Sequence, residues 1–219
     1  MSSFVVHNIP GSPFGRAVLA TLEEKGASYR VARVAPGALK SETHLALHPF
    51  GRVPVLEHDG FRLYETQAIL RYLDRILPAP ALTPTDPRAA ARMDQAMGVS
   101  DWYLFQGAGH VIGFQRVVGP KLLGLPTDEA AIAEAMARAK TVFDELARLL
   151  GAQSYFAGEA PSLADLTLAP QIDFFVGLPE WEPLMGPHRN LQEWHGRMLA
   201  RPSLQATTWE KVSARTQAA

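Results

Sequence analysis

The sequence contains no cysteine. That one absence removes disulfides, thiolate metal ligands and cysteine nucleophiles together, so any thiol chemistry must use a thiol that the ligand brings. Runs of 18 or more apolar residues are missing, and the first twenty residues hold no basic stretch followed by an apolar one. Neither a membrane span nor a secretory signal is expected, and the cytoplasm is the expected location. Charge of one sign is lacking as well: 21 Lys and Arg face 22 Asp and Glu, a net charge of -1 without blocks of like charge. Nucleic acid is therefore not an expected partner. The seven histidines form no pair at metal-ligand spacing with a carboxylate third ligand, so no metal is expected. What remains is an ordinary globular composition, 219 residues with 47% hydrophobic and 20% charged, enough for one large or two small domains.

Phe4 to His7 is a short apolar run suited to a buried strand, broken by Asn8-Ile9-Pro10-Gly11. Ser12-Pro13 then reads as an N-cap with proline at the first helical position, and Phe14, Val18, Leu19 and Leu22 trace one helix face up to Lys25-Gly26. Tyr29 to Val34 is a second strand, and a polar connection runs from Pro36 to His48. Val55-Leu56 and Phe61-Leu63 are two strands joined at Asp59-Gly60, a dipeptide that accepts the positive φ angles of a tight hairpin. Glu65-Thr66 opens a helix carrying Ile69, Leu70, Tyr72 and Leu73, whose first amides are free to face an anion. The order strand, helix, strand, connection, hairpin, helix, with a right-handed parallel crossover, is a thioredoxin-like half.

Leu77-Pro78-Ala79-Pro80-Ala81 cannot continue a helix, so the expected organisation is a domain over 1-78, a linker over 79-86 and an all-helical domain over 87-219. One long helix is expected from Arg88 towards Val118, weakened and bent by Gly107, Gly109 and Gly113. A second runs from Asp128 to Leu150 and stops at Gly151. Ser162-Leu-Ala-Asp165 has the spacing of a capping box with Asp in the place of Glu or Gln. Leu191, Trp194 and Met198 mark a further helix, and Pro202-Ser203 starts a last one.

Taken in this order, Ser12 in the first turn, Val53-Pro54, the hairpin, Glu65-Thr66 with Ala68-Ile69, and the SLADLTLAPQIDF segment resemble the cytosolic glutathione transferases. The serine-type branch, phi and theta-like, is the nearest pattern, and the resemblance runs over nearly the whole chain. It implies a thioredoxin-like domain (βαβ-α-ββα) that binds glutathione, an all-helical domain that shapes an electrophile site, and a homodimer. From the residues alone, Ser12 is either a plain N-cap or a hydroxyl that donates to a thiolate at a helix end. The resemblance makes it the activating serine. Pro54 is either an ordinary trans proline or a cis one that leaves Val53 free to pair with a peptide-like ligand; the resemblance implies cis. Glu65 and Thr66 are a first-turn acid and a cap, or the partners of the γ-glutamyl ammonium and carboxylate. Lys40 and Arg52 are solvated cations or anion partners, and the resemblance places Lys40 at the glycyl carboxylate. Ser162 and Asp165 are structural in the resembled family.

Phe14, Trp102, Tyr103 and Phe105 are the expected wall of an apolar electrophile site, or simply core. The resemblance implies conjugation of glutathione, as substrate and without a metal, to a small hydrophobic electrophile, a detoxification chemistry. Peroxide reduction, dehalogenation or isomerisation on the same site, and a non-catalytic binding or scaffold protein, remain as alternatives. A thiol-disulfide enzyme of the same fold is excluded by the missing cysteines.

Overall fold

The computed structural model describes residues 4–217. The chain divides into two compact units, Met1–Leu82 together with Leu199–Ala219, and Thr83–Met198.

The first unit is built on a four-stranded sheet of order β2-β1-β3-β4. β1 (Phe4–Asn8) runs parallel to β2 (Tyr29–Arg33) and antiparallel to β3 (Val55–His58), which turns back into β4 (Phe61–Tyr64). β1 alternates buried and half-buried positions, with Phe4, Val6 and Asn8 inside, as a strand covered on one face requires. The turn between β3 and β4 has φ of 48° at Asp59 and 85° at Gly60, the two positive angles anticipated for that dipeptide. α1 (Pro13–Glu24) begins at Ser12, whose Oγ accepts from the Gly15 N–H at 3.2 Å, and buries Val18, Leu19 and Leu22. α2 (Glu42–Leu47) starts on the Ser41 side chain, and α3 (Thr66–Ile76) buries Ile69, Leu70 and Leu73. Lys25, fully buried in its side chain, donates to Asp74 at 2.6 Å and to the Pro80 carbonyl at 2.5 Å, so the ends of α1 and α3 are tied to the following connection.

The second unit is helical. α4 (Pro87–Gly98) starts on the Asp86 carboxylate and passes without a break into a widened, π-type stretch, Val99–Gly109. A short α5 (His110–Gly113) and a second widened stretch, Phe114–Leu122, follow. The expected long helix is therefore present, and its winding changes along the stretch that holds the glycines. A Cβ at Gly109 would stand 3.2 Å from the Leu104 carbonyl, five residues earlier, a crowding that glycine avoids. Arg116 fastens the second stretch: it forks onto Glu129 and donates to the buried Glu180. α6 (Glu129–Leu150) ends at Gly151 and buries Ile132, Val142, Phe143, Leu146 and Leu150 on one stripe. α7 (Leu163–Asp173) is buried from Leu163 to Ile172 and forms the centre of this unit. Its capping box is formed, and the fully buried Asp165 accepts from Ser162 N and Oγ, Phe156 N and Trp194 Nε1 at 2.7–3.0 Å. Burial pushes this carboxyl up from its ordinary range, against hydrogen bonds that pull it down. α8 (Trp181–Met185) and α9 (Arg189–Leu199) complete the unit, with Trp194 of α9 edge-on to Phe156.

One expectation is revised. From Leu199 onward the chain belongs to the first unit, so the helical unit is shorter than 87–219. α10 (Pro202–Ala206) and α11 (Trp209–Gln217) are held there by directional bonds. Arg201 forks onto Glu24 through two bonds of 2.7 Å, Ser203 Oγ donates to the same carboxylate, and Arg16 donates to the Leu204 carbonyl. Arg215 reaches Glu23 and Tyr29. These partners lie more than 170 residues apart in sequence, so helical periodicity gave no hint of the pairing.

Candidate functional site

Three of the residues singled out from sequence meet in one place. Lys40, Arg52 and Glu65, with Pro49 and Phe50 between them in the chain, line a cleft of about 470 Å³ in the first unit. Their positions have separate local causes. Lys40 follows a short 3₁₀ turn and donates to the Phe50 carbonyl at 3.2 Å. Arg52 is held through its carbonyl, which pairs with His44 Nε2 at 2.8 Å. Glu65 is the residue before α3 and has φ of 71° with ψ of 111°, a strained backbone for a residue with a side chain. Its side chain does not cap α3, so the carboxylate is left for the cleft and the first amides of the helix are left uncapped by it. Thr66 is the first residue of α3 and is 7% exposed.

His48 supports the loop. Its Nδ1 accepts from the Phe50 N–H at 3.3 Å, its carbonyl accepts from Gly51, and its ring lies 4.6 Å from that of Tyr64. Burial lowers the imidazole pKa, which keeps the ring neutral and able to accept, while the nearby Glu65 charge acts in the opposite sense. The Val53–Pro54 peptide that follows is cis. Among the described residues Val53 makes no backbone hydrogen bond, so its N–H and C=O are open edges beside the cleft.

Ser12 stands at the start of α1. Its Oγ accepts from Gly15, and among the described residues its own hydrogen goes to no acceptor. A hydroxyl in that state has one donor to give at the positive end of a twelve-residue helix.

The expected electrophile residues are divided between the units. Phe14 is in the first turn of α1, half-buried. Trp102, Tyr103 and Phe105 lie on the widened stretch of the second unit, the first two 73% and 65% exposed. Tyr103 borders a groove of about 490 Å³ with Val99, Gly107 and Val142, which Trp102 and Phe105 do not line. Pro49 and Phe50 were not singled out from sequence, because a loop residue lining a cleft carries no periodic signal. Among the described residues no group of three or more His, Asp or Glu is placed to hold a metal.

Comparison with known proteins bears on the family and the fold. Residues 2–75 match the family described as "Glutathione S-transferase, N-terminal domain", and residues 129–197 match "Glutathione S-transferase, C-terminal domain". The chain is 31% identical to a glutathione S-transferase of Hyoscyamus muticus over 94% of its own length and 96% of that relative. It is 33% identical to glutathione S-transferase hmp2 of Hypomyces subiculosus, over 96% and 99%. Its fold superimposes on glutathione transferase F7 from Populus trichocarpa with a TM-score of 0.84 at 25% identity, covering 97% of this chain and 99% of that one. A second structure, a glutathione S-transferase-I bound with the ligand lactoylglutathione, superimposes with a TM-score of 0.81 at 26% identity, over 97% and 99%. The matched domains, the extent of the relatives and the shared fold lead to one conclusion: this chain belongs to the glutathione S-transferase family.

Proposed function

We propose that the chain binds glutathione in the cleft of Lys40, Arg52 and Glu65, activates its thiol at Ser12, and joins the sulfur to a small hydrophobic electrophile. The observation that carries this reading is the cleft itself, which puts a carboxylate and two cations around one space beside the start of α3. Glutathione has one ammonium and two carboxylates, so that charge set is complementary to it. The Glu65 carboxylate takes the γ-glutamyl ammonium, and the Thr66 hydroxyl and the first amides of α3 take its carboxylate. Lys40 and Arg52 face the glycyl carboxylate. Val53, unpaired in its backbone and next to a cis Pro54, pairs with the cysteinyl unit as an added strand would.

With the tripeptide held at both ends, the thiol lies where Ser12 donates its free hydrogen to the sulfur and the N-terminus of α1 adds its partial positive charge. Lowering a thiol pKa from about 8.5 to about 6.5 takes roughly 2.7 kcal/mol, which one charge-assisted hydrogen bond and a helix end together supply. Attack by the thiolate then forms the S–C bond, and the leaving group departs with the electron pair. Phe14, Trp102, Tyr103 and Phe105 are the apolar side chains we assign to the electrophile. We also read the protein as a cytoplasmic homodimer acting in detoxification. The dimer is supported by Phe50, a large apolar side chain left 64% exposed.

The glycyl assignment is tested by calorimetry with glutathione and with γ-glutamylcysteine, on the native chain and on Lys40→Ala. Removing the glycine should weaken binding to the native chain and matter much less in the variant. An equal loss in both would take Lys40 out of the site.

A further inference from the structure

Trp209 opens α11 and is 52% exposed, yet it is fixed. Val212, 3% exposed, seats α11 on the first unit, and Arg215 Nη1 donates to Glu23 Oε1 at 2.9 Å and to Tyr29 Oη at 2.5 Å. On its inner side the indole lies against Gly11. A Cβ on that residue would stand 3.0 Å from Trp209 Cε3 and 3.2 Å from Cδ2 and Cζ3. Gly11 also has φ of 90°, so the backbone favours glycine there, and a side chain at that position would crowd the indole. Loop and ring fit as a pair. Because consecutive Cα atoms are about 3.8 Å apart, the benzo edge of the indole stands within about 8 Å of the Ser12 Cα.

An indole held in water costs free energy in proportion to its open apolar area, unless a ligand covers it. This one is braced from within by Gly11 and carried on a docked helix, and the residue beside its support is the serine assigned to the sulfur. We propose that Trp209 is a specificity-determining residue, whose free face is an apolar wall for the group attached to, or being attached to, the glutathione sulfur. The inference rests on the reading of Ser12 as the thiol's partner. It adds to the electrophile residues one from the end of the chain, and it gives the docking of α11 a role in substrate choice.

The test is a ladder of S-methyl-, S-butyl- and S-hexylglutathione, with glutathione itself as the baseline, titrated by calorimetry into the native chain, Trp209→Ala and Trp209→Phe. The native chain should bind more tightly with each added methylene. In Trp209→Ala the gain from methyl to hexyl should fall at least threefold, while the affinity for glutathione and the pKa of its bound thiol stay within twofold and about 0.3 unit. Trp209→Phe should keep most of the gain. A native-like ladder in Trp209→Ala overturns the proposal, as does a uniform loss that includes glutathione itself, which would make Trp209 a support of the loop and no more. Should Trp209→Ala not fold, iodide quenching decides. The difference in quenching between native and Trp209→Phe reports Trp209, and S-hexylglutathione must shield it more than glutathione does; equal shielding overturns the proposal. A native chain that binds no glutathione refutes the underlying reading, whereas binding with an unaltered ladder refutes only the role of Trp209.

Discussion

Replacing Ser12 by alanine removes two interactions at once, and the structure allows them to be told apart. The first is the cap: Ser12 Oγ accepts the Gly15 N–H at 3.2 Å, and losing such a bond costs about 0.5–2 kcal/mol of stability. The second is the hydrogen bond from the hydroxyl to the thiolate, worth about 1.5–3 kcal/mol for a charged acceptor, or roughly 1–2 units of thiol pKa. A bound thiol near 6.5 is about three-quarters ionised at pH 7; raised by that amount, it falls to between about a quarter and a few per cent. Ser12→Gly separates the two effects, since glycine at an N-cap costs only a few tenths of a kcal/mol yet has no hydroxyl. The assay is ultraviolet titration of the thiolate in the glutathione complex, run beside a thermal melt. Ser12→Ala and Ser12→Gly should show the same raised pKa, with only the alanine variant melting lower, and Ser12→Thr should stay close to native in both. An unshifted titration in the glycine variant would mean that Ser12 only caps α1.

Glu65→Ala should weaken glutathione binding roughly ten- to a hundredfold, the value of a hydrogen-bonded charge. Calorimetry measures it, and unchanged affinity refutes the role. Because Glu65 has φ of 71°, Glu65→Gly should lose the same affinity but melt above Glu65→Ala; an equal or lower melt would show that the backbone there is unstrained. Asp165→Ala leaves several buried donors unpaired and should cost about 3 kcal/mol or more, a fall of very roughly 6–12 °C in melting temperature. Retained stability would contradict the buried box. At Glu24, burial alone would raise the pKa, but the bonds from Arg201 and Ser203 outweigh it and hold the carboxyl below its ordinary 4.5. A depressed carboxyl stabilises fully above that value and loses its contribution as pH falls through the folded value. Protection factors of the α10 amides, taken against the intrinsic exchange rate at each pH, should therefore fall on acidification below about pH 4.5 in the native chain, and much less in Glu24→Gln, where no charge is left to titrate. Equal pH dependence in the two would remove Glu24 as the anchor.

The legible parts of the molecule were those with local chemistry. Asp59-Gly60, Ser12-Pro13, Asp86-Pro87 and Ser162 with Asp165 each state a backbone geometry in two to four residues, and each adopts it. Lys40, Arg52 and Glu65 were legible as a set only through the resemblance, because nothing in their spacing says that a strand pair and two loops bring them to one cleft. Three features were out of reach. The widened winding of Val99–Gly109 depends on a carbonyl five residues back rather than on the apolar pattern. The return of the last two helices to the first unit involves Glu23 and Glu24, whose distant partners no local pattern announces. Trp209 against Gly11 joins the two ends of the chain, and each looks unremarkable until the other is placed beside it.

The central claim is that this chain binds glutathione and holds its sulfur as the thiolate. Isothermal calorimetry of the purified protein with glutathione, followed by ultraviolet titration of the bound thiol in the same sample, addresses it directly. The account predicts saturable binding with a thiol pKa at least one unit below the free value of about 8.5. An absence of binding, or binding with an unshifted thiol, would contradict it and leave a protein that keeps the family's fold without its chemistry.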